Sequence, residues 1–583
     1  MRSLRFLLVV VAMLAVAPAI TFARNASNEI CPRPAAGSAI PEPADLRSQN
    51  GTLKVELRYR GVRDAHGQMR YCYQAADGSI APNLRVHPGD WLILSLKNDL
   101  KVSANPAPAQ GTAMSTAMSM PMPMQMSMPV LDACADGEMT TSSTNLHFHG
   151  LAVPPVCHED DVLKTMIAPG DPAFEYRFQI PPDTPPGLYW YHPHVHGFSN
   201  VQVLGGASGV LIVEGIERAN SLLAGLPERV LVVRDQDLLN PDATPSKTAA
   251  VPQAPVLHDA EGDILNTGTG EGKPSKDLSI NFVPVAFPEY SPAVIAMKPD
   301  ERQLWRVVNA SAITYLDLQI LVGGTPQPMG MVSLDGVPVN EGGMVANRIV
   351  WESHVLLPPA GRIDFVFKAP SAGAQATLIT RAVDTGPAGE NDPTRPLATI
   401  ITRADASEPR SALPVASTPP APITSTWLAN VKPAHERKLY FSEKPSDPNN
   451  PNSPTIFMIT VEGQEPVPYD PRSTVPNITV QQGDVEDWII ENRTRELHAF
   501  HIHQIHFLLT GWNGVPIDEP FLRDTVNVPY WNGATPVYPS VKLRMDFRDP
   551  NIVGTFVYHC HLLEHEDGGM MGTIRVEPAP RKR

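Results

Sequence analysis

Short apolar runs, bounded by turn-forming residues, recur along the whole chain. Leu53–Tyr59 alternates apolar and polar side chains, and Trp91–Leu96, Val210–Val213, Val230–Val233, Arg362–Phe367, Trp488–Ile490 and Thr555–Tyr558 are further compact runs of β-forming residues. Clusters of Gly, Pro, Asn and Asp separate them at the spacing of an all-β chain. The pattern predicts strands and turns throughout.

A coarse repeat divides these strands. His87-Pro88-Gly89-Asp90-Trp91 leads to Asn98, and Gln482-Gly483-Asp484 followed by Trp488 leads to Asn492. Each is a turn, a strand and an asparagine, and a histidine-rich strand follows. The middle third carries a weaker copy, Trp305-Arg306-Val307-Val308-Asn309, with no histidine cluster after it. Three related β domains, with the chemistry in the outer two, are expected over residues 24–215, 216–403 and 435–583. Residues 404–434 are rich in Pro, Ala and Ser, as an extended linker would be. Residues 101–143 form an insertion carrying Met114, Met118, Met120, Met122, Met124, Met126 and Met128. Prolines interrupt it, and it is expected as a mobile surface loop.

Composition agrees with this division. A chain of 583 residues exceeds one hydrophobic core and suggests about three domains. Sixty-two prolines, about twice ordinary usage, argue against a helical bundle. The net charge of −15 makes a nucleic-acid partner unexpected. Arg2 and Arg5, an apolar run from Phe6 to Ile20, and Ala23 read as a secretory signal over residues 1–23. No later segment reaches membrane-spanning length, so an exported protein, periplasmic or secreted, is expected. Cys31, Cys72, Cys134 and Cys157 then have three possible disulfide pairings, among which sequence does not choose. The reading leans to Cys31–Cys72 with Cys134–Cys157. Cys560 is left over, between two histidines.

Four histidine clusters carry the chemistry. In an extended strand residues i and i+2 share a face, so His147 and His149 point together, as do His192, His194 and His196. The third cluster is His498, His501 and His503, with His506 beyond. In the fourth, His559 and His561 face one side of a strand while Cys560 faces the other. Cys560 can therefore bind a different metal from its two neighbours while remaining covalently joined to both. With a histidine of the third cluster, His565 and a methionine it makes a His₂Cys set with a weak thioether, which selects copper for electron transfer. A structural zinc site would leave the other clusters unexplained.

In order and spacing these motifs resemble the multicopper oxidases of the three-domain laccase type, with some likeness to bacterial copper-efflux oxidases. Asp335-Gly336, Gly361-Arg362-Ile363-Asp364 and Arg523-Asp524-Thr525-Val526 also match. The resemblance implies three consecutive cupredoxin-like Greek-key β-barrel or sandwich domains and four copper ions. It implies type 1 ligands His498, Cys560, His565 and Met570, with Met571 the less favoured axial residue. His147 and His501 would hold type 2 copper, and His149, His192, His194, His503, His559 and His561 the type 3 pair. Two departures are local: Ala499 stands where proline is usual, and Phe148 where tryptophan is common. Proton delivery is expected from Glu566, and from Asp160 or Asp161 near the type 2 position.

The implied reaction is one-electron oxidation of a donor coupled to four-electron reduction of dioxygen to water. Phenols and aromatic amines are the first donor class, which an axial methionine favours by lowering the type 1 potential. Cu(I) is the second, because thioethers of the methionine-rich insertion bind it well. A periplasmic copper-binding or resistance protein with incidental oxidase activity is the third reading. A monomer is expected.

Overall fold

The computed structural model describes residues 29–101, 133–135, 137–244, 256–339, 347–415 and 427–580. The expected signal segment and Met114–Met128 lie outside these residues. The fold is all-β, in three units of two packed sheets each.

In the first unit, strands Asp45–Arg47, Asn83–Val86, Gly209–Val213, Gly187–His192 and His147–His149 form one sheet, in that spatial order. Met69–Ala75, Thr52–Arg63, Trp91–Asn98 and Phe174–Gln179 form the other. Alternation puts Leu53, Val55 and Leu57 inward, against Phe148, Leu211 and Val213 of the facing sheet. The middle unit packs a nine-stranded against a six-stranded sheet, and the last a seven-stranded against a five-stranded sheet. Their cores centre on Trp305 with Phe365, and on Trp488 with Phe500 and Tyr558.

The repeat has a structural counterpart. The strands Trp91–Asn98, Arg302–Asn309 and Val485–Asn492 each pair in parallel with an early strand of their own unit. Each ends on a buried asparagine whose amide donates to two carbonyls: Asn98 to Ser142 and Ile167, Asn309 to Thr314 and Leu357, Asn492 to Glu496 and Val528. Asparagine is required there because its single side chain satisfies two backbone acceptors that the departing loop leaves buried.

The units are fused rather than strung out. Leu188, Trp190 and Ile212 of the first pack on Val230, Val232 and Val308 of the second. A buried ionic chain, Arg85–Glu228–Arg306–Asp364, crosses the same seam. Tyr315 and Val383 of the middle unit enter the core of the last. Within the described part of the proline-rich stretch, Ser411–Ala412 pairs with Pro227 and Glu228 of the middle unit and Leu413 is buried. The disulfides are Cys31–Cys72 and Cys134–Cys157, with Cα separations of 5.5 and 5.7 Å, and Cys560 is a buried free thiol.

Candidate metal centres

Cross-strand register assembles the histidines. His147 pairs with His192 across two antiparallel strands of the first unit, and His501 pairs with His559 in the last. The two units meet face to face, so rings from each interleave. His147 stacks on His503 at 3.7 Å and His149 on His501 at 4.0 Å between centroids. Ligand nitrogens of His147, His501 and His503 lie within 4.8 Å of one another, as do those of His147, His149 and His192, and of His194, His503 and His559. His561 closes the nest, 5.1 Å from His149 and 5.5 Å from His192 between ring centroids.

Strand alternation did not place all of them. The strand ends at His192, so His194 and His196 are not on its face. His194 is held instead by Asn145, whose side-chain oxygen accepts from His194 N–H at 2.7 Å and whose amide donates to its carbonyl at 2.9 Å. His196 lies outside the nest, half-buried beside Tyr469.

Partners outside the nest set each ring. His147 Nδ1–H donates to Asp160 at 3.0 Å, His192 Nδ1–H to the Pro193 carbonyl at 2.9 Å, and His559 Nδ1–H to the Cys560 carbonyl at 2.9 Å. Inward nitrogens are left over: His147 Nε2, His149 Nδ1, His192 Nε2 and His501 Nε2 are buried with no hydrogen-bond partner. His194 Nε2 and His503 Nε2 both face His559 Nε2, at 3.4 and 3.3 Å. Burial keeps the rings unprotonated, with His147 and His501 down to about 3 and His192, His194, His559 and His561 well below the ordinary value. Neutral imidazoles whose nitrogens converge in a buried space without other partners suit a bound cation. The donor set fits metal ions held by imidazole.

Across the Cys560 strand the polarity of the pocket changes. Cys560 Sγ lies 3.5 Å from His498 Nδ1 and 3.8 Å from His565 Nδ1, and the two nitrogens are 3.1 Å apart. Met570 is buried in the same apolar cluster as Cys560, whereas Met571 packs with Val162 and Val557. Burial pushes the Cys560 thiol upward, as an apolar pocket does until a metal takes it as thiolate.

Among the expected carboxylates, Glu566 Oε2 is 3.1 Å from His559 Nδ1 and Oε1 is 3.6 Å from His194 Nε2. Asp160 accepts from His147, from Phe148 N–H at 3.0 Å and from Gln504 at 2.6 Å. Burial raises both carboxyls well above the ordinary range. Asp161 is a correction: its side chain accepts from the Leu163 and Lys164 N–H groups of the following turn, not from a histidine. Asn145 and Gln504 were missed because a lone amide carries no motif.

A cavity of about 230 Å³ opens beside His565 between the middle and last units. Asp259, Glu261, Glu390, Glu443, Glu496 and Glu564 line it, with Phe457 stacked on the His565 ring at 4.2 Å. Glu496 Oε1 is 3.7 Å from His565 Nε2, and Glu443 Oε1 is 3.1 Å from His498 Nε2. Apart from Glu564, the neighbour of His565 on its helix, these acids come from segments distant in sequence, and no spacing announced them.

Comparison with known proteins places this geometry. Residues 138–218 and 447–580, which hold the four histidine clusters, match multicopper oxidase family profiles. A multicopper oxidase of Staphylococcus haemolyticus is 23% identical over 452 residues, covering 74% of this chain and 77% of that protein. A laccase of Bacillus subtilis is 22% identical over 399 residues, covering 66% of this chain and 69% of its own. Among solved structures, a multicopper oxidase of Campylobacter jejuni described as a metallo-oxidase superposes with a TM-score of 0.60 at 22% identity, covering 94% of this chain and 96% of that one. Residues 138–218 and 447–580 thus carry multicopper oxidase domains, the buried sulfur and imidazole ligand sets lie within them, and the fold around them is that of the multicopper oxidases.

Proposed function

We propose that the chain holds four copper ions. Cys560, His498, His565 and Met570 form the type 1 set. His147 and His501 hold the type 2 ion, and His149, His192, His194, His503, His559 and His561 hold the type 3 pair. The observation that carries this reading is the division at residues 559–561, where successive side chains enter two different buried ligand sets. When bound, the ions supply one-electron exchange at the Cys560 set and reduction of dioxygen by four electrons and four protons to two waters at the nest. The peptide bonds of Cys560 join the sets covalently. Glu566 and Asp160 hold protons within reach of the nest, at His559 and His147. Trp190, stacked on His192 at 4.1 Å, helps exclude water. Copper-loaded protein is expected to carry four coppers per chain, absorb intensely in the blue-forming band and consume oxygen. A colourless protein that prefers zinc and takes up no oxygen overturns the reading.

The donor enters at the acidic cleft over His565. Carboxylate oxygens favour a hard metal cation such as Fe(II) or Mn(II) over Cu(I), which prefers thioethers. Phenols and aromatic amines form the second reading, supported by Phe457, Leu265, Pro387 and Ala388 on the same wall. Oxygen uptake with Fe(II), Cu(I) and a dimethoxyphenol, compared at low and high salt, separates them. A metal-cation donor gives the highest kcat/KM and one that falls with ionic strength. Faster, salt-independent turnover of the phenol sinks the metal reading.

We also infer export, with cleavage after Ala23; two disulfides suit an oxidising compartment. Mass spectrometry of the mature N-terminus tests this, and an uncleaved cytoplasmic chain refutes it.

A further inference from the structure

The copper assignments give no role to three motifs, Asp335-Gly336 and Gly361-Arg362 in the middle unit and Arg523-Asp524 in the last. The fold brings all three to one point beside the histidine nest. Arg362 and Asp524, both fully buried, form a two-pronged ion pair, with 2.6 Å from each terminal nitrogen to its own carboxylate oxygen. Arg362 also donates to the Asp335 carbonyl at 2.9 Å and to the Leu188 carbonyl of the first unit at 3.3 Å. One guanidinium therefore touches all three units.

Asp524 in turn reaches two rings of the nest. Its Oδ1 lies 3.2 Å from His149 Nε2, and its backbone carbonyl accepts from His501 Nδ1–H at 2.8 Å. The Thr525 hydroxyl donates to Oδ1 at 2.9 Å, and His506 Nε2 lies 3.6 Å from Oδ2. These contacts leave His149 Nδ1 and His501 Nε2, on rings stacked 4.0 Å apart, facing inward without partners. The backbone makes room for the pair: a Cβ on Gly150, immediately after His149, would sit 2.6 Å from Arg362 Nη2 and 2.8 Å from Asp524 Oδ2. At the same seam a Cβ on Gly187 would sit 2.1 Å from the Gly336 carbonyl oxygen.

We propose that Arg362 and Asp524 are positioning residues for the trinuclear copper site, and that the middle unit, which supplies no ligand, completes that site through them. The inference rests on the four-copper reading. Asp524 selects the tautomer of His149, a type 3 ligand from the first unit. Its carbonyl selects that of His501, a type 2 ligand from the last. Arg362 holds Asp524 in the one orientation in which its carboxylate faces His149 and its carbonyl faces His501. A planar guanidinium with a fixed fork suits this; a lysine, as a point charge on a flexible stem, leaves the carboxylate free to rotate.

The test compares wild type with R362Q, D524N, R362K and the double variant R362Q/D524N, the last leaving no buried charge alone if the singles fail to fold. Readouts are copper per chain, the paramagnetic resonance signal of type 2 copper, the blue absorbance, and KM against kcat for the donor. Wild type shows both copper signatures. The variants are expected to keep the blue absorbance and donor KM while type 2 copper affinity and kcat fall roughly 10- to 100-fold, with R362K intermediate. Singles and double should lose similar amounts, because the two residues act as one unit. A folded double variant with wild-type type 2 affinity overturns the proposal alone. Wild type without blue or type 2 signals overturns the four-copper reading and this proposal with it.

Discussion

Glu566 Oε2 lies 3.1 Å from His559 Nδ1, on the short helix Leu563–Asp567 that follows directly from the Cys560 strand. One turn of chain therefore carries His565, the proposed type 1 ligand, and an acid within reach of the nest. Glu566→Gln preserves shape and removes the exchangeable proton. It should leave copper content and blue colour intact while oxygen turnover falls roughly 10²- to 10⁴-fold. Stopped-flow reduction of the blue band at the wild-type rate, with slow oxygen consumption, is the expected signature. Unchanged steady-state turnover refutes the role.

Copper uptake at the Cys560 set should release about one proton. The buried thiol is pushed upward and so enters the reaction protonated at neutral pH, whereas His565, lowered to about 3 by burial, enters without a proton. The apparent affinity should then rise about tenfold per pH unit below the thiol's titration. Titration of the metal-free protein in dilute buffer with a pH indicator measures this, and Cys560→Ser should abolish both the release and the blue colour.

Metal-free protein should be acid-sensitive. His147, His501 and His565 sit near 3 when folded and near 6.5 when unfolded. Below about pH 6.5 the unfolded chain binds protons that the folded one refuses. Stability therefore falls as pH drops from about 6.5 to about 3, by roughly 1.4 kcal/mol per pH unit for each ring. Melting of the metal-free form across this window checks the slope. A melting temperature that is flat with pH contradicts it.

Gly150→Ala should damage the seam between the units. Gly150 has φ of +90°, and a Cβ there meets the Arg362–Asp524 pair within 3 Å. The left-handed backbone alone costs about 1–2 kcal/mol. A melting temperature several degrees lower, with weakened type 2 copper binding, is expected. Wild-type values for both would show that the seam tolerates the displacement.

The predicted strands, such as Leu53–Tyr59 and Thr555–Tyr558, are all present, because local alternation and turn residues decide them. The opposed faces of Cys560 and its neighbours were equally legible, since period-two geometry needs only adjacent residues. Alternation failed at His194, where Pro193 follows the end of the strand and Asn145, far away in sequence, supplies the orientation. It could not separate Asp160 from Asp161 either, because one residue's difference decides which carboxylate turns inward.

The order of the histidine motifs, the cysteine between two of them and the repeated strand-to-asparagine unit determined the all-β class and marked out the histidine and cysteine clusters proposed to bind copper. They are properties of neighbouring residues, and strand geometry converts them directly into shared or opposite faces. The acidic cleft over His565 and the Arg362–Asp524 clasp belong to tertiary structure alone. Each joins residues more than a hundred positions apart, and their charges acquire meaning only when burial removes the water that would otherwise screen them.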